Sequence, residues 1–159
     1  MEKGNLIENI ADSKSEIIEK IACRIPELIE KALDMRNYSY APYSKFRVGA
    51  ALLSKDGKIY GGCNIENAAY GPSNCAERTA FFKAVSEGVK EFSAIVIAGG
   101  PEEGIVDFCA PCGVCRQVMA EFCEADSFLI ILAKSVEEYE VYTLRELFPK
   151  SFSPKDLEA

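Results

Sequence analysis

Between Ser13 and Asn37, apolar residues recur every three or four positions, through Ile17, Ile18, Ile21, Ala22, Ile25, Leu28, Ile29, Ala32 and Leu33. That period is helical. Ser13 and Glu16 have the spacing of a capping box, and Pro26, which suits the first turn of a helix, divides the run into two consecutive helices. The period then changes. Phe46 to Leu53 reads as a mostly buried strand, Asp56-Gly57 as a hairpin turn and Lys58 to Ile65 as the partner strand. A loop from Asn67 to Asn74, containing Gly71-Pro72, precedes a helix from Cys75 to Gly88, whose glycine suits a C-terminal cap.

Phe92 to Ala98 and Phe128 to Ala133 are continuous apolar runs of buried-strand length. Between them the chain predicts a loop from Gly99 to Ala110 and a helix from Pro111 to Glu121. Val141 to Thr143 adds an edge strand, and Leu144 to Phe148 a small helix stopped by Pro149. A hairpin followed by helices alternating with buried strands predicts the α/β class. The expected architecture is three-layer α/β/α, with a mixed sheet of about five strands and helices on both faces.

The 159 residues, 48% of them hydrophobic, suffice for one ordinary domain with its own core. The seven cysteines are an odd number, and Met1-Glu-Lys-Gly-Asn does not begin a secretory signal, so reduced thiols and a cytoplasmic location are expected. No apolar run is long enough to cross a bilayer, and no membrane partner is expected. A net charge of -7 opposes sequence-independent binding to a phosphate backbone, which excludes a nucleic-acid polymer as the expected partner.

The chain contains no histidine. A hydrolytic centre must therefore do without the commonest metal ligand and the usual general base. Cys75, Cys112 and Cys115 supply three soft donors, suited to zinc, and three protein ligands leave the fourth position open, as in a catalytic site. Cys112 and Cys115 are about one turn apart at a helix start, while Cys75 opens a different helix. Positive helix ends converging on the site favour thiolates.

Three thiolates weaken a bound zinc as a Lewis acid, and Arg78 is placed to donate to their sulfurs and offset this. Glu77 is the candidate proton carrier. Asn74-Cys-Ala-Glu77 also has capping-box spacing, which leaves a purely structural role open. A closed zinc site with Cys109 as fourth ligand, or a Cys109-Ala-Pro-Cys112 redox pair, also remains open. Cys23, Cys63 and Cys123 read as small core residues.

Cys75-Ala-Glu77 with Pro111-Cys-Gly-Val-Cys115 resembles the signature of the zinc-dependent nucleoside and nucleobase deaminases in its three-cysteine form. Tyr43-Ser-Lys-Phe-Arg-Val-Gly-Ala-Ala-Leu, Gly62-Cys-Asn-Ile-Glu-Asn-Ala-Ala-Tyr70 and Cys75-Ala-Glu-Arg-Thr-Ala are similar to the small homotetrameric cytidine deaminases. The resemblance extends from Met35 to Leu157. It divides the chain into an N-terminal helical extension, 1–25, and a catalytic domain, 26–159, of the cytidine deaminase-like fold.

The resemblance implies one zinc per subunit on Cys75, Cys112 and Cys115, with Glu77 shuttling protons as water attacks C4 of the pyrimidine. Cytidine and deoxycytidine become uridine and deoxyuridine plus ammonia, in pyrimidine salvage. Phe46 corresponds to an aromatic that packs on the base, and Asn64 and Glu66 to a pair that binds ribose hydroxyls. Ala76 corresponds to a further substrate contact. Tyr70 corresponds to a position contributed across a subunit boundary and Phe152 to a C-terminal aromatic that closes over the ligand, within a homotetramer whose sites are shared. Asn64 and Glu66 are two apart at a strand end, so both side chains can face a diol. Blasticidin deaminases share the Cys-Ala-Glu and Pro-Cys-Gly-x-Cys elements, and a non-catalytic zinc module is the competing class.

Overall fold

In the computed structural model, which describes residues 13–157, α1 is helical over 13–21 and meets α2 (Ile25–Met35) through a tight turn, Ala22–Arg24. Pro26 stands in the first turn of α2, where its missing N–H costs no helical hydrogen bond. The chain is already helical at Ser13, so whatever precedes and caps α1 lies outside the described residues. Residues 1–12 of the expected N-terminal extension lie outside them too.

Strands β1 (Phe46–Ser54) and β2 (Ile59–Cys63) form the hairpin, followed by α3 (Ala76–Ser86) and β3 (Phe92–Pro101). Helix α4 (Gly113–Phe122), β4 (Leu129–Ala133), β5 (Tyr139–Thr143) and α5 (Leu144–Leu147) complete the order. The sheet runs β2-β1-β3-β4-β5, with β3 and β4 parallel and every other neighbouring pair antiparallel. It is mixed, as expected.

Its central strands are buried on both faces, which is why their sequences are continuously apolar rather than alternating with polar residues. Ala50, Leu52, Ile95, Ile97, Ile130 and Leu132 pack with α3 and α4 residues such as Phe81 and Met119. Their neighbours Ala51, Leu53, Ala94, Val96, Leu129 and Ile131 pack on the other face with Leu28, Ile29 and Ala32 of α2. The period-two alternation of side chains thus divides one apolar run between two cores and fixes the register.

Three local expectations change. Gly99, Gly100 and Pro101 continue β3 instead of starting a loop, pairing with Val48, Arg47 and Phe46. Arg36 supplies the further donors, from Nη2 to the Gly100 and Pro101 carbonyls at 3.3 and 2.9 Å. Pro111 precedes α4, whose N-cap is Cys112. Cys23, expected in the core, is exposed, because the Ala22–Arg24 turn buries none of its residues.

Candidate active site at two helix N-termini

Cys75 is the N-cap of α3 and Cys112 the N-cap of α4. Both have extended backbone, and neither side chain caps its helix, so the sulfurs are free for another partner. Cys115 lies in the first turn of α4 and is buried. The Cys75 and Cys112 sulfurs are 3.8 Å apart, the Cys112 and Cys115 sulfurs 3.6 Å, and all three lie within 4.8 Å of one another. A tetrahedral zinc with Zn–S of about 2.3 Å spaces its sulfurs by about 3.8 Å. The donor set therefore fits zinc in chemistry and in spacing. It is the only such metal-ligating cluster among the described residues, and Cys109 is not part of it.

Close packing places α3. A Cβ on Gly62 of β2 would stand 2.3 Å from the Ala76 carbonyl oxygen and 2.6 Å from the Ala80 nitrogen, so only glycine lets the helix start lie on the strand. Lys83 donates to the Gly61 carbonyl at 2.6 Å, and the Thr79 hydroxyl to the Cys63 carbonyl at 3.0 Å. Asn74 donates to Thr79 Oγ1 at 3.1 Å and is not the N-cap, so the capping box with Glu77 does not form. Glu77 is only 4% exposed. Burial pushes its carboxyl up to about 7, with a contribution from negative charge on Cys75.

The Cys75 thiol is drawn down to about 5, by a hydrogen bond from Cys115 first and from Arg78 and Cys112 after it, against an opposing effect of burial. Cys115, which keeps the shared proton, is pushed up for the same reason and by its burial. Arg78 Nη2 donates to the Cys75 sulfur at 3.5 Å, while its buried Nε has no partner. The guanidinium faces sulfur rather than solvent, as a cation compensating thiolates must.

A pocket of about 370 Å³ opens over this cluster, lined by Cys75, Ala76, Glu77, Arg78 and Cys112 together with Asn64, Glu66, Val48 and Cys109. Asn64 Oδ1 accepts from the Val48 N–H at 2.8 Å and from the Ser39 hydroxyl, while Nδ2 donates to the Phe46 carbonyl at 2.9 Å. One N–H of the amide is left over. Glu66 also faces a neighbouring cleft that it shares with Tyr70 and Tyr43. Phe46 and Phe152 line neither space, and Tyr70 and Phe152 are 75% and 59% exposed.

Val48, Ser73, Asn74 and Ala110 also line the pocket, and sequence reasoning had not singled them out as site residues. Small apolar and turn residues carry no chemical signal, and only the strand pairing brings Val48 to Asn64. Arg116 was likewise missed: it donates to the carbonyls of Pro111 at 2.8 Å and Leu147 at 2.7 Å, tying down the chain just before Cys112. Burial pushes the Cys109 thiol up to about 11, so it remains a neutral thiol on the pocket wall. A larger cleft, about 470 Å³, lies at the C-terminal end of α4, away from the thiol cluster.

A mixed sheet that brings two helix N-termini, three thiols and a buried carboxylate to one pocket defines a zinc-dependent hydrolytic enzyme. Residues 24–131 match the family model of the cytidine and deoxycytidylate deaminase zinc-binding region. A cytidine deaminase of Sporosarcina psychrophila is 50% identical over 84% of this chain and 94% of its own length. One from Halalkalibacterium halodurans is 47% identical over 82% and 95%. The crystal structure of a cytidine deaminase from Burkholderia pseudomallei superposes with a TM-score of 0.72 at 44% identity, covering 79% of this chain and 97% of that one. The chain belongs to the cytidine and deoxycytidylate deaminase family. No helix of the described residues is long and apolar enough to cross a membrane.

Proposed function

We propose that this protein hydrolyses cytidine and deoxycytidine to uridine and deoxyuridine with release of ammonia, a step of pyrimidine salvage. The observation that carries the reading is the buried Glu77 carboxylate beside an open three-thiol site, in a pocket that also holds Asn64 and Glu66. Cys75, Cys112 and Cys115 would hold one zinc per subunit, which would supply Lewis-acid activation of a water. Glu77 takes the two protons of the attacking water in turn, delivering the first to the ring nitrogen and the second to the leaving amine. Its raised affinity for a proton, near neutrality, suits both directions of transfer.

Arg78 withdraws charge from the Cys75 sulfur. The remaining Asn64 N–H donates to one sugar hydroxyl while Glu66 accepts from another, a complementary pair for a diol. Ala76, on the pocket wall, contacts the substrate, and Phe46, outside the pocket in this structure, packs on the base when the nucleoside is bound. The exposed Tyr70 supports a homotetramer in which it completes a neighbouring subunit's site, and the exposed Phe152 is free to close over the ligand. Full activity in a sedimenting monomer contradicts that assembly. Residues 26–159 are the catalytic domain and 1–25 an extension, of which Ile21 and Ile25 lie in the α2-side core. Its free cysteines support a cytoplasmic location, and its acidity a free nucleoside rather than a nucleic-acid polymer.

The test is loss of cytidine absorbance with equal release of ammonia on adding the purified protein, abolished by a zinc chelator. Preference for free cytosine or blasticidin over cytidine contradicts the assignment.

A further inference from the structure

Glu66 is held by donors that all come from one turn of chain. The Tyr43 and Ser44 N–H groups donate to Oε2 at 2.9 and 3.2 Å, and the Ser44 hydroxyl donates to Oε1. The same hydroxyl oxygen accepts the Phe46 N–H at 3.1 Å, where β1 begins. Between them Lys45 has φ of 57°, a left-handed conformation that a lysine rarely adopts. Its N–H donates to the Ala41 carbonyl at 3.1 Å and closes the turn. Strain at one residue thus sets a hydroxyl between the carboxylate and the first strand.

We propose that Ser44 is a positioning residue for nucleoside binding: its hydroxyl fixes the Glu66 carboxylate against the start of β1 in the orientation that accepts a sugar hydroxyl. The inference rests on the reading that Glu66 binds the sugar. An ionised carboxylate offers about four acceptor positions, and three are filled by this turn. The free one is therefore fixed in direction. Among the described residues Oε1 has the Ser44 hydroxyl as its one partner, so removing it frees that oxygen to rotate away. Ser44 is itself exposed and outside both cores, so its loss acts on binding rather than on folding.

The test is a double-mutant cycle on the full-length zinc enzyme, with kcat and KM for cytidine, zinc content and thermal midpoint measured for S44A, S44T, E66A and S44A/E66A. S44A is expected to raise KM roughly tenfold with kcat within about twofold of wild type, as loss of a hydrogen bond to a charged group does. S44T, which keeps the hydroxyl, is expected to restore KM to within about threefold of wild type. In the E66A background S44A should add nothing, because it acts through that carboxylate. If E66A leaves KM unchanged, the sugar-binding reading of Glu66 is overturned. If E66A raises KM but S44A is silent or adds in full, or if S44T is as poor as S44A, the positioning role of Ser44 is overturned and Glu66 keeps its own.

Discussion

Arg78 donates from Nη2 to the Cys75 sulfur across 3.5 Å, from within the first turn of the helix that Cys75 itself caps. The guanidinium therefore belongs to the same rigid element as the sulfur it touches. Arg78→Gln keeps most of the side-chain length and removes the charge. It is expected to lower kcat on cytidine roughly 10- to 100-fold, the usual cost of losing a partner of a metal ligand. Steady-state kinetics at saturating cytidine, with zinc content measured in the same samples, checks this; an unchanged kcat contradicts it.

Metal uptake and protonation are linked. In the metal-free cluster hydrogen bonds from Cys115, Arg78 and Cys112 favour the Cys75 thiolate, whereas Cys115 keeps the shared proton. Zinc takes thiolates, so the Cys115 proton must leave when the metal binds. Binding at pH 7 is expected to release protons, and apparent zinc affinity to rise with pH as proton competition fades. Zinc titration of the chelator-stripped protein in weak buffer, followed with a pH indicator, reads this directly. Affinity independent of pH between 6 and 8 contradicts it.

Two glycines separate packing at the site from packing elsewhere. Gly62→Ala drives a methyl group into the backbone of α3, with Ala76 O only 2.3 Å away. It is expected to cost about 1–3 kcal/mol of stability and to lower zinc stoichiometry, because the helix that carries Cys75 must shift. Gly88 has φ of 89° with open space around its Cβ position. Gly88→Ala is expected to cost about 1 kcal/mol through backbone strain alone, with kcat/KM unchanged. Thermal melts and metal analysis of the two variants distinguish these outcomes.

The legible parts of this chain were those in which local chemistry and fold agree. The runs at Ala94 to Ala98 and Phe128 to Ala133 are apolar on both faces because helices cover both. The three cysteines stood out because their spacing places them at helix starts and because no histidine competes. The continuation of β3 through Gly99, Gly100 and Pro101 was not legible. Those residues have turn chemistry, and only pairing with Arg47 and Phe46, more than 50 positions away, makes them a strand. The same limit hid the contacts of Ser39 with Asn64 and Ser44 with Glu66, which are 25 and 22 residues apart in the chain. Spacing alone also allowed Glu77 a capping-box role, which the place of Cys75 as N-cap removes.

The central claim is that Glu77 moves the protons while the thiols hold the metal. Glu77→Gln preserves the shape of a buried residue and removes its acid–base function. Ammonia release from cytidine by the purified variant, with its zinc measured alongside, is the most direct test. The expected result is one zinc per subunit, as in the wild type, with kcat reduced by about 10²–10⁴-fold or more. Zinc retained together with wild-type ammonia release contradicts the claim.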